Sequence, residues 1–464
     1  AASLVQAYTL QVMAAELQLT PSSLPAGNYG QAYQQLLSVS GGTAPYRYAV
    51  TSGSLPSGLQ LDADGGISGL VGADGSFALR ITATDALGFS GHQDYVLLIG
   101  QRPDPRQDPD VRGLLSAQAE TARRFANSQV SNFQQRMQQL RGASNNGGFS
   151  NNLSLVASRP VCDTTIGSKA VSGCDLMQRS PFDAEQDLYS VPPKQRNDQA
   201  LGMWLGGALR SGRSAGGSDG TDFQTDGLSL GFDYRFTPSW VVGAGVGYGR
   251  DRSEVGNRGS RSDAEAVAMV VYASYGTGQH LFVDMLAGHQ LHDYRLRRHI
   301  TADGSLAHGR RDGQQWFASL SLGADIHHDD WQITPYIGLE TAQGTLDAFA
   351  ETGNALFALY YGEQDVDTTT GNAGVRLRIR QQAAWGTWTP HVSVEYQHDF
   401  SGNGVGWMQY TNTPGLPLYG TALDSRQNNR WLFGAGLQLE LRDRWGLRID
   451  YRGLVGRDDR DNGV

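Results

Sequence analysis

Apolar and polar residues alternate with a period of two over long stretches from Leu201 onward. In the segment 228–236, Leu, Phe and Tyr alternate with Ser, Gly, Asp and Arg, and the segments 316–326 and 447–452 repeat the pattern. Successive side chains of a strand point to opposite faces, so this alternation predicts strands with one apolar and one polar face. We count eleven such strands and the start of a twelfth at Asn462. We therefore expect the native chain to continue beyond Val464.

The connections between these strands alternate in length along the chain. The short ones lie near 237–239, 276–279, 328–330, 382–386 and 442–445, and the long ones near 211–222, 252–262, 296–312, 342–368 and 401–428. Tryptophan and tyrosine residues stand at or beside the short ones. A soluble antiparallel sheet can also alternate, but this segregation of loops and aromatic residues is typical of a membrane barrel. We predict a mainly β protein with a twelve-stranded antiparallel transmembrane β-barrel at 201–464, its last strand truncated.

A helical pattern occupies residues 111–140. Apolar residues recur there at spacings of three and four, and the other positions are Gln, Arg, Asn and Ser. Thirty helical residues span about 45 Å, which exceeds the bilayer's hydrocarbon thickness of about 30 Å. This helix is nevertheless too polar to face lipid. It would fit inside a barrel lumen; a surface helix or a coiled-coil stalk is the alternative. The pore-helix residues that we single out are Phe125, Asn132, Phe133, Arg136 and Met137.

Charged residues on the polar faces of the predicted strands would line the lumen. We expect ion-pair networks among them to hold helix and barrel together, with a catalytic acid set as the alternative. The glycines of the segment 243–249 would be small lumen-facing residues that make room. The predicted lumen charges are Asp233, Asp325, Glu340, Arg376, Arg378, Arg380, Glu395, Glu440, Arg448, Asp450 and Arg452.

The N-terminal part is predicted to be a β-sandwich at residues 13–100, because short alternating runs are separated by Gly, Pro and Asp turns. The segment 6–12 echoes 93–99, so residues 1–12 would end a preceding repeat, with more repeats upstream. Residues 101–142 would form a proline-stiffened linker and the helix. Residues 143–200 look irregular. They contain Cys162 and Cys174, whose close spacing suits a local disulfide in an oxidising compartment.

Composition narrows the function classes. The net charge of −9 and the pI near 5.6 provide no electrostatic footprint for nucleic acid. No window approaches the run of about 18 apolar residues that a membrane helix needs. We find no specific cofactor, phosphate-loop or nucleophile motif. The segment His327–Asp330 suggests a metal cluster but reads better as a solvated turn, and Asp62, Asp64 and Asp85 read better as turn residues than as calcium ligands.

Two families resemble this sequence. Leu24-Pro25-Ala26-Gly27, Gly53-Ser54-Leu55-Pro56 and Thr82-Ala83-Thr84-Asp85 resemble the Ig-type repeats of bacterial surface proteins. Residues 201–464, with Leu447-Arg448-Ile449-Asp450-Tyr451 near their end, resemble the translocator barrel of autotransporters in type V secretion. That resemblance implies a helix through the pore and no enzyme activity in the barrel. It also implies an outer membrane of a Gram-negative bacterium, with its lipid, barrel assembly machinery and periplasmic chaperones as partners.

The resemblance implies a function and leaves alternatives. The barrel would export its own N-terminal Ig-like passenger and display it at the cell surface. The barrel would serve only as an anchor if the chain is an adhesin whose Ig repeats bind a host or cell-surface ligand. An outer-membrane protease would need a rim site from His292-Asp293 and His398-Asp399. Self-cleavage of the helix is disfavoured, because Ser131 stands where the resembling helices have the cyclising asparagine, although Asn132 follows.

Overall fold

A computed structural model describes residues 16–142, 149–157, 201–214, 220–276, 280–401, 404–412, 418–423, 429–441 and 446–456 of the protein. The chain divides into two compact units, of which the first comprises the residues up to Asp104 together with Thr301–Ser305 and the second the remaining residues from Pro105 onward. The echo segment 6–12 and the two cysteines lie outside the described residues. The preceding repeat and the disulfide between Cys162 and Cys174 therefore stay predictions.

The first unit is a β-sandwich whose strands bury every second side chain. Ile67, Ile81 and Leu97 are fully buried, whereas Arg80 and Asp94 pair on the exposed face. The sheets follow the orders β2-β9-β8-β5 and β3-β7-β6, and β1 pairs with β4. The strands are β1 (Gln18–Thr20), β2 (Gly27–Asn28), β3 (Ala32–Leu36), β4 (Ser38–Ser40), β5 (Arg47–Gly53), β6 (Leu59–Leu61), β7 (Gly66–Leu70), β8 (Gly75–Thr84) and β9 (Ser90–Gly100).

The second unit contains one long helix, α1 (Pro109–Gly142), preceded by a 3-10 turn at Pro105–Gln107. Eleven long antiparallel strands follow it in sequence and curl into one sheet. They are β11 (Leu201–Ser214), β12 (Thr221–Thr237), β13 (Trp240–Val255), β14 (Ser260–Gly276), β15 (Leu281–His299), β16 (Leu306–Ala324), β18 (Trp331–Leu346), β21 (Gln364–Ile379), β23 (Gly386–Asp399), β26 (Asn429–Leu441) and β27 (Gly446–Gly456). Two short strands, β17 (Ile326–His328) and β22 (Gln381–Ala383), lie at turns.

The sheet closes through a strand that the sequence pattern did not predict. β10 (Phe149–Ala157) lies between β11 and β27 and pairs with both in parallel. Because β11 and β27 run in the same direction, a strand between them is either parallel or antiparallel to both. The expectation that 143–200 is irregular is therefore wrong for nine residues. Leu153 and Leu155 do alternate with polar residues there, but the surrounding Asn and Gly obscured that signal.

The apolar side of the alternation faces outward, as a transmembrane barrel requires. Leu230, Phe232 and Val271 are exposed, while Ser229 and Asp233 on the other face are buried. Aromatic side chains form two rows on the outside. The row at the short turns contains Trp240, Tyr275, Trp331 and Trp385, and the second row contains Tyr248, Trp316, Tyr396 and Trp431. From Trp240 to Tyr248 the strand is about 26 Å long. With the tilt of about 35–45° that such strands have, this is about 20 Å along the barrel axis, comparable to the apolar band of about 25 Å.

Several connections that we expected to be long are shorter in the structure. The strands continue beyond the membrane thickness: β15 has 19 residues, whereas a tilted strand crosses with about 9 to 11. The predicted loop at 252–262 is therefore a turn at residues 256–259. The two longest connections form a small sheet of their own, with strands β19 (Phe349–Ala350), β20 (Leu359–Tyr361), β24 (Val405–Tyr410) and β25 (Tyr419–Ala422). Within the described part of the chain, no helix is both long and apolar enough to cross a membrane.

Candidate functional site

Helix α1 lies inside the barrel and is buried on all its faces. Phe125, Phe133 and Met137 are almost completely buried, and so are the polar Asn132 and Gln135. A helix on the surface of a globular domain would leave its polar face in water. The alternatives of a surface helix and a coiled-coil stalk are therefore wrong. The helix packs chiefly against β12, β13, β14 and β15, which we call the near wall.

The middle of the helix is held by an aromatic cluster and an ion pair. Phe133 makes edge contacts with Trp204 and Tyr272, at centroid distances of 4.9 and 5.3 Å. Trp204 Nε1 donates to the Tyr272 hydroxyl at 2.8 Å, and that hydroxyl donates to Asp233 at 3.1 Å. Arg136 donates to both oxygens of Asp233, at 2.7 and 3.1 Å. Three of the residues singled out from the sequence thus meet around Tyr272 and Trp204, which had not been singled out.

The glycines of β13 provide the space that the helix occupies. A Cβ at Gly245 would lie 2.9 Å from the Phe133 ring, and one at Gly247 would lie 2.0 Å from Gln129 Oε1. A Cβ at Gly249 would lie 2.7 Å from the Phe125 ring. Side-chain atoms do not approach so closely, so larger residues here would push the helix off the near wall. The lumen-facing role expected for this glycine run agrees with these contacts.

A second ion pair on the near wall was missed by the sequence reading. Arg124 on the helix and Asp251 on β13 are 2.9 Å apart, with side chains 6% and 0% exposed. Thr225, Ser253 and Thr121 complete the hydrogen bonds of the pair. A buried pair persists only when its remaining donors and acceptors are satisfied in this way. No local signal marks the pair, because its members lie 127 residues apart.

The two ends of the helix identify its direction in the barrel. At the end where the long connections lie, Asp108 Oδ1 accepts the N–H of Asp110, which caps the helix, and Asp110 pairs with Arg258 at 2.9 Å. Burial raises the pKa of Asp108, although Arg298 acts in the opposite direction. At the end with the short turns, Arg141 pairs with Asp284 and lies 3.5 Å from Asp325. The N-terminus of α1 therefore faces the long connections.

The opposite helix end is also matched electrostatically. Arg235 donates to the carbonyl of Leu140 in the last turn at 3.0 Å. The free carbonyls of a helix C-terminus carry partial negative charge, which basic groups stabilise. Together with the acidic cap at Asp108 and Asp110, this places complementary charge at each end of the helix.

The remaining predicted lumen charges divide into those that reach the helix and those that bond within the wall. Glu340 accepts from Gln134 of the helix at 2.9 Å. By contrast, Glu395 accepts from Tyr336 and Gln397, and Glu440 accepts from Gln438. The alternation of apolar and polar residues indicates which face of a strand a residue occupies. It does not indicate how close that strand lies to the helix around the barrel.

The basic residues of this set lie on strands that have little contact with the helix. Arg448 donates to Asp450 at 2.7 Å, and Arg376 and Arg378 are buried on β21. Arg452 is half-buried. The lumen prediction is wrong for Arg380, which follows the last residue of β21 and is exposed at the turn.

The suspected helix-cleavage position is engaged in ordinary polar contacts. Ser131 Oγ accepts from Arg210 at 3.3 Å, and Asn132 Nδ2 donates to Ser229 at 2.8 Å. These bonds orient the Asn132 amide toward the near wall. Self-cleavage at this site stays untested.

The His-Asp pairs considered for a protease do not converge in the structure. His292 points inward and stacks on Phe125 at 5.7 Å, whereas Asp293 pairs with Arg310 on the other face. His398 bonds to Asn429 at 2.8 Å, while Asp399 is buried. Adjacent residues of a strand point to opposite sides, so neither pair forms a site of its own.

The suspected metal positions are turns. Asp329 and Asp330 connect β17 to β18, with His327 and His328 exposed beside them. In the first unit, Gly65 donates to the Asp62 carbonyl at 3.0 Å. The Asp85 carboxylate accepts from Thr43, Leu87 and Phe89. Among the described residues, no group of three or more His, Cys, Asp and Glu is arranged to hold a metal ion.

Comparison with known proteins places both parts of the chain. Residues 203–452 match the family model described as "Autotransporter beta-domain", and residues 16–100 match that described as "Putative Ig domain". Among solved structures, the translocator domain of autotransporter NalP from Neisseria meningitidis is similar, with 17% identity and a TM-score of 0.43 over 55% of this chain and 81% of that one. The β-domain of the Bordetella autotransporter BrkA has 19% identity and a TM-score of 0.41 over 56% and 94%.

Curated relatives share a shorter stretch. Esterase EstA of Pseudomonas aeruginosa is 26% identical over 216 residues, which are 44% of this chain and 32% of that protein. Lipase 1 of Photorhabdus luminescens is 24% identical over 193 residues, 40% of this chain and 28% of that protein. The chain thus spans about a third or less of the length of these relatives. Since the family model covers more than half of its length, the chain belongs to the autotransporter β-domain family.

Proposed function

We propose that the barrel translocates the Ig-like segment of the same chain across the outer membrane and then anchors it at the cell surface. The family is one of outer-membrane translocators of Gram-negative bacteria. The observation that carries the proposal is the direction of α1. Its capped N-terminus at Asp108 and Asp110 faces the long connections, and Arg141 faces the short turns. Short turns are periplasmic in such barrels, so the residues that precede α1 would leave on the outer side.

The lumen supports passage of an extended chain better than passage of a folded one. Its wall is a closed hydrogen-bonded sheet, so backbone groups are satisfied without the passenger. One helix with its side chains, about 10 to 12 Å across, packs along the near wall inside the lumen. A folded β-sandwich is far wider. The Ig-like unit would therefore cross unfolded and fold outside, and its folding would bias movement outward.

A reversible cross-link tests this order of events. Ala78 and Val96 lie directly opposite each other on β8 and β9, and both are exposed. Directly opposed residues of antiparallel strands have Cα atoms about 4.5–5.5 Å apart, which is within the range that a disulfide spans. In intact cells, Ala78→Cys with Val96→Cys should leave the Ig-like unit inaccessible to added protease, and a reductant given during synthesis should restore access.

The single variant Ala78→Cys is the matched control and should export normally. Equal surface exposure of the oxidised double variant and the control would overturn the proposal that the unit crosses unfolded. Protease access only after the outer membrane is permeabilised, for the unmodified chain, would overturn export itself.

An adhesin in which the barrel is only an anchor remains a second candidate, because residues 16–100 match an Ig-type domain. Purified Ig-like unit that binds host or bacterial cells would support an adhesive role. The test separates the two functions, because export is measured on the whole chain and binding on the unit alone.

Hydrolysis is not proposed for this chain, although two relatives are named as an esterase and a lipase. The proposed role is physical rather than enzymatic. Purified chain should hydrolyse a nitrophenyl ester no faster than buffer, and a turnover above background would place an enzyme site in it.

A further inference from the structure

The strands across the lumen from the near wall carry buried arginines with too few partners. We call β21, β23, β26 and β27 the far wall, which the helix touches little. Arg376, Arg378 and Arg448 on this wall are 6%, 8% and 1% exposed. Arg376 and Arg378 are two residues apart on one strand and so share a face.

A histidine connects the two arginine-bearing strands. Arg378 lies opposite His391 in the register of β21 and β23. His391 Nε2 is 2.5 Å from Asp450 and 3.3 Å from Arg448 Nη2. Arg448 also donates to both oxygens of Asp450, at 2.7 and 3.1 Å. The single carboxylate of this cluster is therefore already shared by Arg448 and His391.

Donors on this wall remain without acceptors. Among the described residues, Arg378 Nη2 and Arg448 Nη1 have no hydrogen-bond partner. Arg376 lies over the ring of Tyr336 at 5.3 Å. Glu395 accepts from the neutral donors Tyr336 and Gln397. Asp325 accepts from Gln332 and Thr334. Within the described part of the chain, neither carboxylate forms an ion pair with the three arginines.

An unpaired buried cation is strongly disfavoured unless a counter-charge accompanies it. Asp450 is the carboxylate that pairs with this set, and the unpaired donors of Arg378 and Arg448 favour an added anion beside it.

We propose that Arg376, Arg378 and Arg448 form a lumenal binding site for an inorganic oxyanion of the phosphate type. Guanidinium groups present planar pairs of N–H donors that match the oxygen spacing of phosphate. A halide ion is spherical and has no pair of oxygens to match the two N–H donors of a guanidinium group. The site lies on the lumenal face of the far wall and is separate from the helix contacts on the near wall. It would neutralise the far wall while the lumen holds one helix.

Unfolding of the purified full chain in detergent tests the site. The measurement is the temperature at which the gel mobility of the folded barrel is lost, with inorganic phosphate or with chloride at equal ionic strength. Phosphate should raise this temperature by a few degrees, because a ligand that binds only the folded state stabilises it. Arg378→Gln should weaken the apparent affinity for phosphate about ten-fold or more, because it removes charged hydrogen bonds to the anion.

The same variant makes an opposite prediction without phosphate. In chloride, Arg378→Gln should unfold at the same or a higher temperature than the parent, because it removes an uncompensated buried charge. Arg376→Gln should behave similarly and serves if the first variant does not fold. Arg310→Gln is the control, because Arg310 is 67% exposed at the outer end of β16 and pairs with Asp293.

The outcomes are decisive in either direction. Equal effects of phosphate and chloride on the parent would overturn the oxyanion site. A variant at Arg378 that is less stable in chloride would show that Arg378 already has a partner, and would also overturn it. Export of the Ig-like unit is not part of this measurement, so failure here leaves the proposed function standing.

Discussion

The Ig-like unit and the barrel are built from the same alternation and use it in opposite senses. In the sandwich, Ile81 and Leu97 face the core, while Arg80 and Asp94 face outward. In the barrel, Leu230 and Val271 face outward, while Asp233 and Asp251 are buried in the lumen. A period of two therefore identifies a two-faced strand, but it does not identify which face is the interior. The surroundings on each side decide that, with water outside the sandwich and lipid outside the barrel.

The largest loss of stability that we predict comes from a substitution in the polar lumen of the barrel, where the sandwich has an apolar core. Asp251→Leu leaves Arg124 buried without its counter-charge and should cost about 3–5 kcal/mol of unfolding free energy. Urea unfolding in detergent would measure it. The double variant Arg124→Met with Asp251→Leu should recover most of the loss, because both charges are gone.

The matched control for this prediction lies next to it in sequence. Arg252 on the outer face pairs with Asp263, and both side chains are partly exposed. Asp263→Leu should change the free energy by less than about 1 kcal/mol. Equal losses at Asp251 and Asp263 would contradict the view that the lumen is the interior.

The apolar core of the sandwich should respond as an ordinary protein core does. Ile81→Ala should cost the Ig-like unit about 2–5 kcal/mol, because it leaves a cavity, whereas Val96→Ala on the exposed face of the same sheet should cost little. Thermal unfolding followed by circular dichroism would compare the two. Similar losses at both positions would mean that the exposed face is covered by something else.

A charge introduced on the outer surface should destabilise the barrel much more than the Ig-like unit. Val271→Lys on the barrel faces lipid and should cost about 2–4 kcal/mol near the middle of the bilayer. Leu98→Lys on the exposed face of the sandwich should cost little, since that face lies in water. The first variant would be measured by refolding into lipid vesicles. Tolerance of Val271→Lys in vesicles would contradict a lipid-facing surface.

The smallest effect concerns pH and the turn between β8 and β9. Burial acts to raise the pKa of Asp85, but backbone N–H donors, that of Thr43 first, outweigh it and hold the pKa below its usual range. The carboxylate therefore contributes stability that is present above the unfolded pKa and is lost as the pH falls through the lower, folded value. The unit should lose stability as the pH falls below about 4.

The variant Asp85→Asn tests this assignment. It should flatten that acid dependence and lower stability at neutral pH, because the amide is a weaker acceptor for the three N–H groups. An unchanged acid dependence in Asp85→Asn would assign the pH effect to another group.

Predictions from the sequence succeeded where the signal was local and regular. The alternation at 228–236 indicated β12 and its outward face, and the spacing of apolar residues indicated α1 to within two residues at each end. The fold class was confirmed by the family match. The loop at 252–262 was overestimated, because beyond the membrane both faces of a strand are polar and the alternation fades. β10 was missed for a related reason, since its alternation is short and lies among Asn and Gly.

Contacts between distant parts of the chain were beyond local signals. Phe133, Arg136 and Asp233 could be assigned to the lumen from their positions, but Trp204 and Tyr272, which complete their cluster, look like any other aromatic residues of a strand. Likewise, Arg376, Arg378 and Arg448 were expected in ion pairs with the helix. Their strands lie on the far wall, where the helix has few contacts.

The sequence by itself determined the strands, the two faces of each strand, the polar helix and the loop asymmetry, because these depend on neighbours within a few residues and on the chemistry of lipid and water. The tertiary structure decided which strands meet the helix, which carboxylate neutralises which arginine, and which strand closes the ring. These contacts form only when a sheet built from more than two hundred residues closes into a barrel. Closure brings together positions that share no local sequence pattern.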